Sequence, residues 1–257
     1  MELFDYSIWL ILLICAGVFC SGFVDAIGGG GGLISVPIYL LAGLPAHKAL
    51  GTNKLSSCIG TAVSTLRYVK NGYVDWGLAI PSIALALLGA HFGTRLQLLV
   101  PEVYLKYVLL VVLPMAAVLV LRQKKLREEP GKIAPWLQRL IVWSAALVIG
   151  AYDGFYGPGT GTFTLIVCCN LAKMDVRTAS GNVKLVNLSS NLSALITSLA
   201  AGKVAIGIGL LAAVFSILGH YIGAGLTIKN GSKIVRPVIL IVLLLLAVKV
   251  ITELLGL

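Results

Sequence analysis

Along the chain, long apolar runs alternate with short polar gaps. The runs cover approximately 7–27, 33–45, 49–69, 74–96 and 103–121, and then, after a charged stretch from Arg122 to Pro135, approximately 137–154, 162–172, 178–200, 204–228 and 234–256. A helix that crosses a bilayer needs about 20 residues, and most of these runs have that length. The second and the seventh are too short, and each follows a cluster of glycines. The pattern predicts an all-α polytopic membrane protein with 4–5 membrane segments in each half, 8–10 in total, and a short broken or re-entrant segment after each Gly-rich loop.

The two halves align with each other. A shift of 130 residues carries Ala49, Gly51, Lys54 and Leu55 onto Ala179, Gly181, Lys184 and Leu185. It also carries Gly72, Val74 and Gly77 onto Gly202, Val204 and Gly207, and Gly89, Gly93 and Leu96 onto Gly219, Gly223 and Leu226. Asp25 falls on Asp153 with a two-residue gap. The organisation expected is a first repeat over 1–121, a basic cytoplasmic linker over 122–136 and a second repeat over 137–257. Doubled halves with a glycine-interrupted short segment at the same place in each point to a secondary transporter. Broken helices expose backbone polar groups at membrane depth, and these are tolerated only where protein or a water-filled site satisfies them.

Two orientations compete. If the short segments are re-entrant, each half has four spans and the repeats are parallel. If they cross, each half has five spans and the repeats are inverted. The inverted arrangement gathers Arg67, Lys70, the 122–136 linker, Lys173, Arg177 and Lys229 on one side. The positive-inside rule therefore favours it, with that side cytoplasmic.

Composition narrows the classes. Of the 257 residues, 58% are apolar and 12% charged, and the mean hydropathy is +0.98. Soluble domains carry about 25% charged residues, so an ordinary soluble enzyme or a disordered chain is excluded. The net charge of +10 sits in short gaps between apolar runs rather than on a basic face, which argues against nucleic acid as a partner. The N-terminal flank is acidic (Glu2, Asp5), unlike a cleavable signal, so the first run is expected to be a membrane helix. Five cysteines (Cys15, Cys20, Cys58, Cys168, Cys169) lie in apolar runs without metal-ligand spacing. No cofactor or metal is expected, and no catalytic, P-loop, zinc-protease or nucleophile-elbow motif is present. The oligomeric state is not legible.

Candidate chemistry concentrates at the paired features. Gly28 to Gly32 and the counterpart Gly157-Pro158-Gly159-Thr160-Gly161 each open a short segment. Such loops can present backbone N–H groups and a helix N-terminus to an anion, which makes Gly29, Gly30, Gly31, Gly32, Gly157, Gly159, Thr160 and Gly161 candidate binding residues. Close helix packing by small residues is the competing explanation. A lysine inside a membrane segment costs about 2.5–3.5 kcal/mol on insertion scales, yet Lys54 and Lys184 occupy matching positions. Ser57, Cys58, Thr61 and Thr65 follow Lys54 on one helical face, and Asn187, Asn191 and Ser198 follow Lys184. Thr52, Asn53 and Asn182 extend the two stripes. A small oxyanion is the ligand these stripes suit; a structural polar seam and a snorkelling lysine are the alternatives.

Asp25 and Asp153 precede the glycine clusters. They can pair with the lysines, relay protons or cap the broken helices, and capping or pairing is preferred. His47, His91 and His220 read as hydrogen-bonded packing residues. Trp76, Trp136, Tyr73 and Tyr104 flank segments as interface anchors, and Pro37, Pro81 and Pro114 are positioned to kink helices. An anion channel, a membrane enzyme using Cys58 and a scaffold stay open as alternatives.

These motifs resemble the TauE/SafE sulfite-exporter family of anion transporters. The resemblance rests on GFVDAIGGGGGLISVP and GLPAHKALGTNKLSS between Gly22 and Ser57, on YDGFYGPGTGTF from Tyr152 to Phe163, on ASGNVKLVNLSSN from Ala179 to Asn191, and on the closing stretch Gly231 to Pro237. It implies a bacterial inner-membrane carrier with two homologous halves. It also implies export of a sulfur-containing or organic oxyanion, such as sulfite, thiosulfate, sulfoacetate or sulfolactate, driven by the proton gradient. The second half departs from a plain glycine run with its Gly-Pro-Gly-Thr-Gly, so the two half-sites are not chemically equal.

Overall fold

A computed structural model describes residues 7–101, 104 and 128–241. The expected segment at 103–121 and Pro114 lie outside these residues apart from Tyr104, as do residues 122–127 of the linker. Among the described residues the secondary structure is helical throughout, with no strand. Helix α1 (Ile8–Gly28) starts at Ser7, whose hydroxyl accepts from the Leu10 N–H. A glycine break leads to α2 (Gly32–Leu41), which contains Pro37. Helix α3 (Ala46–Lys70) includes His47 in its first turn, where a loop was expected. Helix α4 (Trp76–Leu99) is capped by Asp75 and contains Pro81. Helix α5 (Pro135–Phe155) begins with proline, whose missing N–H costs nothing in a first turn. The second glycine break leads to α6 (Thr160–Ile166), which passes into a π-helical turn (Val167–Leu171). Helices α7 (Val176–Ala200), capped by Asp175, and α8 (Ile206–Asn230) follow. Residues 232–241 are again helical.

Among the described residues three helices, α1, α4 and α8, are long and apolar enough to cross a membrane. The pattern within them is that of a protein dissolved in lipid. On α8, Leu210, Val214, Leu218 and Ile222 point outward, while Ala212, Ser216, Gly219, His220, Gly223 and Thr227 face in. The more polar helices, α3 and α7, are the interior ones, and most of their serines, threonines and asparagines, with Lys54 and Lys184, are buried. α2 has 10 residues, roughly 15 Å of helix at 1.5 Å per residue, against about 30 Å of hydrocarbon.

Small residues let the backbones close up. A Cβ on Gly89 of α4 would lie 2.8 Å from the Ala151 nitrogen of α5, and one on Gly219 of α8 would lie 2.7 Å from the Phe23 nitrogen of α1. Gly93 meets Ala151 and Phe155, and Gly223 meets Phe23 and Ala26. These registers make α4 parallel to α5 and α8 parallel to α1. By contrast, Thr65 donates to the Lys184 carbonyl at 3.2 Å while Gly51 packs on Ser198, so α3 and α7 are antiparallel. α2 turns back along α1, with Ser21 donating to the Gly31 carbonyl and Gly17 against Ile38. α3 then runs in the direction of α1, its Tyr68 hydroxyl donating to the Ala26 carbonyl at 3.3 Å.

Candidate functional site

The two glycine breaks touch at the centre of the bundle. Gly29 and Gly159 have positive φ, 77° and 88°, a conformation that glycine adopts without strain. A Cβ on Gly161 would lie 2.8 Å from the Gly29 Cα, and Thr162 donates to the Gly28 carbonyl at 2.7 Å. Backbone groups freed by one broken helix are thus met by the other, as membrane depth requires.

Around this crossing sit two buried ion pairs, each joining elements far apart in sequence. Lys54 Nζ of α3 donates to Asp153 Oδ1 of α5 at 2.8 Å and to Asn191 Oδ1 of α7 at 3.0 Å. Asp153 also accepts from Thr160 at 3.0 Å, and from Ser190. Lys184 Nζ of α7 pairs with Asp25 Oδ2 of α1 at 3.0 Å and donates to the Asp25 carbonyl as well. The other Asp25 oxygen accepts from the Gly31 N–H at 3.3 Å. The lysine side chains are 5% and 2% exposed, which removes snorkelling as an explanation. Glycine at 157 is what lets the ammonium approach: a Cβ there would lie 2.9 Å from Lys54 Nζ.

A small polar cavity opens between these groups. Its walls carry Asp25, Gly30, Gly32, Asn53, Lys54 and Ser57 on one side, and Asp153, Gly157, Thr160, Gly161, Asn187 and Asn191 on the other. Asn53 Oδ1 accepts from Ser35 at 2.6 Å and from Ser57 at 3.4 Å. Asn187 Oδ1 is buried without a hydrogen-bond partner, as is Asn182 Oδ1.

The profile of the sulfite exporter TauE/SafE family matches residues 13–250. The chain belongs to this family. A "Probable membrane transporter protein ORF9" of Sinorhizobium sp is 32% identical over 97% of this chain and 95% of its own length. A "Probable membrane transporter protein YfcA" of Escherichia coli K12 is 30% identical over 98% and 95%, and a "Probable membrane transporter protein" of Haemophilus influenzae is 32% identical over 95% of both chains. No solved structure matches.

In this TauE/SafE protein, ten of the sixteen positions singled out for binding line the cavity, together with both aspartates. Six do not. Gly29 packs against Gly161 and Thr162, Gly31 accepts from Ser21 and Ser35, and Gly159 supplies the turn into α6. Thr52 accepts from the Ala205 N–H at 2.9 Å, fixing the start of α8. Asn182 donates back to Thr178 in its own helix. Lys184 stands behind Asp25 rather than in the wall. Both aspartates pair with a lysine; Asp25 also accepts the Gly31 backbone N–H, as a cap does, whereas the Asp153 carboxylate accepts from the side chains of Lys54, Thr160 and Ser190. Cys58 is buried beside Leu55 and Leu195 and does not line the cavity.

Three residues that sequence reasoning passed over belong to the assembly. Ser190 bonds Asp153, Ser35 bonds Asn53, and His220 lies 3.3 Å from Asp25 Oδ2. Ser35 and Ser190 were legible as polar residues in buried, apolar stretches. His220 was set aside because a histidine considered alone has no partner to argue from.

Proposed function

We propose that the protein is a secondary carrier, working as an exporter, for a small sulfur-containing or organic oxyanion such as sulfite, thiosulfate or a short sulfonate. The observation that carries this reading is the polar cavity where two broken helices meet, with a lysine in its wall and a second lysine one carboxylate away. Intramembrane cations are costly and are kept where charge must be handled. Lys54 presents its ammonium in the cavity wall while Asp153 stays paired with it. Asn53, Ser57, Asn187 and Asn191 offer hydrogen bonds, and Gly30, Gly32, Thr160 and Gly161 bring backbone close to the cargo. The family's name and the transporter names of the relatives point the same way.

Transport proceeds by alternating access between two inverted repeats in the inner membrane, coupled to the proton gradient. The helix directions support the inversion: α1 and α3 run with α8, whereas α3 and α7, which occupy matching places in the halves, run oppositely. The ion pairs bridge the halves, so a shift of one half against the other must remake them. A carrier must release its cargo, and Kd values near 1 mM to 1 μM correspond to about 4–8 kcal/mol.

Proteoliposomes loaded with sulfite, thiosulfate, sulfate or short sulfonates, with and without an imposed pH gradient, test this. The expected result is efflux of at least one sulfur oxyanion whose rate an imposed pH gradient changes and that Lys54→Gln abolishes. Flux of none of them overturns the reading.

A further inference from the structure

The two buried pairs are each electrically neutral: Lys54 with Asp153, and Lys184 with Asp25. An anion entering the cavity therefore meets lysines whose charge is already spoken for. Its own charge would stand uncompensated in a poorly polarisable interior, where such an excess is heavily penalised. Something nearby must become more positive as the anion arrives.

His220 is built for that change. Its side chain is 2% exposed. Nδ1 lies 2.9 Å from the Ser216 carbonyl, which can only accept, so Nδ1 carries the hydrogen. Nε2 then lies 3.3 Å from two different groups, the Thr61 hydroxyl and Asp25 Oδ2. Each protonation state has its own partner. A neutral imidazole accepts at Nε2 from Thr61, whereas an imidazolium donates from Nε2 to the Asp25 carboxylate. The fold makes room for the ring with glycines on both flanks: a Cβ on Gly22 of α1 would lie 2.7 Å from Nδ1, and one on Gly60 of α3 would lie 2.9 Å from Cε1. Asp25 links the ring to the cavity, because it lines the wall.

The charged groups around the ring are few among the described residues. α1 presents Asp25, and Lys184 of α7 sits on the far side of that carboxylate. α3 presents Thr61, and its Arg67 is turned outward onto the Tyr221 carbonyl and ring. On α8 itself the partner is Ser216. At the other pair the arrangement differs. Asp153 is held by Thr160 and Ser190, hydroxyls that do not titrate, and the position 130 residues before His220 is Ala90.

We propose that His220 is the proton-binding residue of the carrier, taking up one proton at Nε2 with each anion that binds and giving it up when the anion leaves. The proposal rests on the anion-carrier reading and deepens it. The proton enters from the water on the side the cavity faces and joins the Nε2 lone pair. Nε2, which accepted from Thr61, now donates its new hydrogen to Asp25, and part of the carboxylate's hold on Lys184 is released toward the cavity. Departure of the anion on the other side reverses these steps. One site in one half gives one proton per anion, whatever the charge of the cargo.

The test uses thiosulfate and methanesulfonate, neither of which changes protonation between about pH 5 and pH 8, where histidine titrates. Binding to the purified full-length protein is measured across that range. One linked proton predicts an apparent Kd that rises about tenfold per pH unit on the alkaline side. His220→Lys, permanently charged, is expected to bind with no pH dependence, and His220→Gln to bind weakly and equally flatly. Nitrogen-15 spectra of histidine-labelled wild-type protein provide a readout independent of any variant at position 220. The chain has three histidines, and saturating thiosulfate at about pH 7.5 should convert one neutral imidazole to imidazolium, assigned with His47→Gln and His91→Gln. A wild-type affinity independent of pH, a tenfold slope that survives both variants, or three imidazoles left neutral would each overturn the proposal. Wild-type protein that neither binds nor transports any anion of the panel ends the carrier reading itself, a separate failure.

Discussion

Asp25 and Asp153 occupy matching places before the two glycine breaks, yet their surroundings differ. Asp153 is enclosed: its side chain is 6% exposed and it accepts from Lys54, Thr160 and Ser190. Asp25 is looser, with 18% exposure, and it shares its oxygens between Lys184, the Gly31 N–H and His220. One carboxylate is locked by groups that keep their protons, and the other is tied to a ring that can gain one. A common backbone has thus been given a fixed charge pair on one side and an adjustable one on the other.

That contrast predicts unequal damage. Asp153→Asn leaves the buried Lys54 with neutral amide oxygens and no carboxylate, and breaking one partner of a buried pair costs about 3–5 kcal/mol. Asp25→Asn likewise keeps a carbonyl for Lys184, but this side chain is 18% exposed against 6% for Asp153, so water softens its loss and the cost is expected to be smaller. Thermal unfolding of both variants in the same detergent measures the difference. The double variant Lys54→Gln with Asp153→Asn should recover most of the lost stability while remaining inactive, because no bare charge is left inside. Equal melting losses for Asp25→Asn and Asp153→Asn would erase the distinction between the sites.

A second comparison sets Gly89 beside Gly219. Both stand where a helix from one half lies against a helix from the other, and in both an added Cβ meets main chain rather than a side chain that could move aside. Gly89→Ala and Gly219→Ala are each expected to cost about 1–3 kcal/mol, the range for overpacking a tight contact, and to cost nearly the same. Calorimetric or fluorescence-monitored melting checks this. A harmless substitution at one position beside a damaging one at the other would show that the two crossings are not equivalent.

The residues explain how far the sequence could be taken. Apolar runs placed α1 through α8 within a few residues, because such runs and the glycine breaks between them are local signals. The two lysines stood out because a cation in an apolar run is conspicuous by itself. What faces each lysine was not legible. Lys54 meets Asp153 across 99 residues and Lys184 meets Asp25 across 159, and a helical stripe reports which residues share a face, not which helix lies opposite. For the same reason the stripe from Lys54 to Thr65 was seen, but not that it splits, with Thr61 serving His220 and Thr65 serving the Lys184 carbonyl.

The smallest expected effect lies outside the bundle centre and calibrates the rest. Glu128 accepts from the Ser232 N–H at 2.7 Å and pairs with Arg177 at 3.5 Å, joining the end of the linker to the helix at 232–241 and to α7. The hydrogen bonds from Ser232, with Arg177 and Arg236 nearby, hold its carboxyl below the usual carboxylate range. A carboxyl depressed in the folded state lends stability at pH above its ordinary value, and that stability is lost as pH falls through the folded value. The side chain is 44% exposed, so solvent screens the pair and Glu128→Gln should cost only about 0.2–1 kcal/mol near neutral pH. The gap between variant and wild type should close in acid, once the wild-type carboxyl is protonated as well. Melting curves at neutral and acidic pH decide the matter: a loss as large as that of Asp153→Asn, or one unchanged by acid, would mean that this exposed contact is held by something other than its charge.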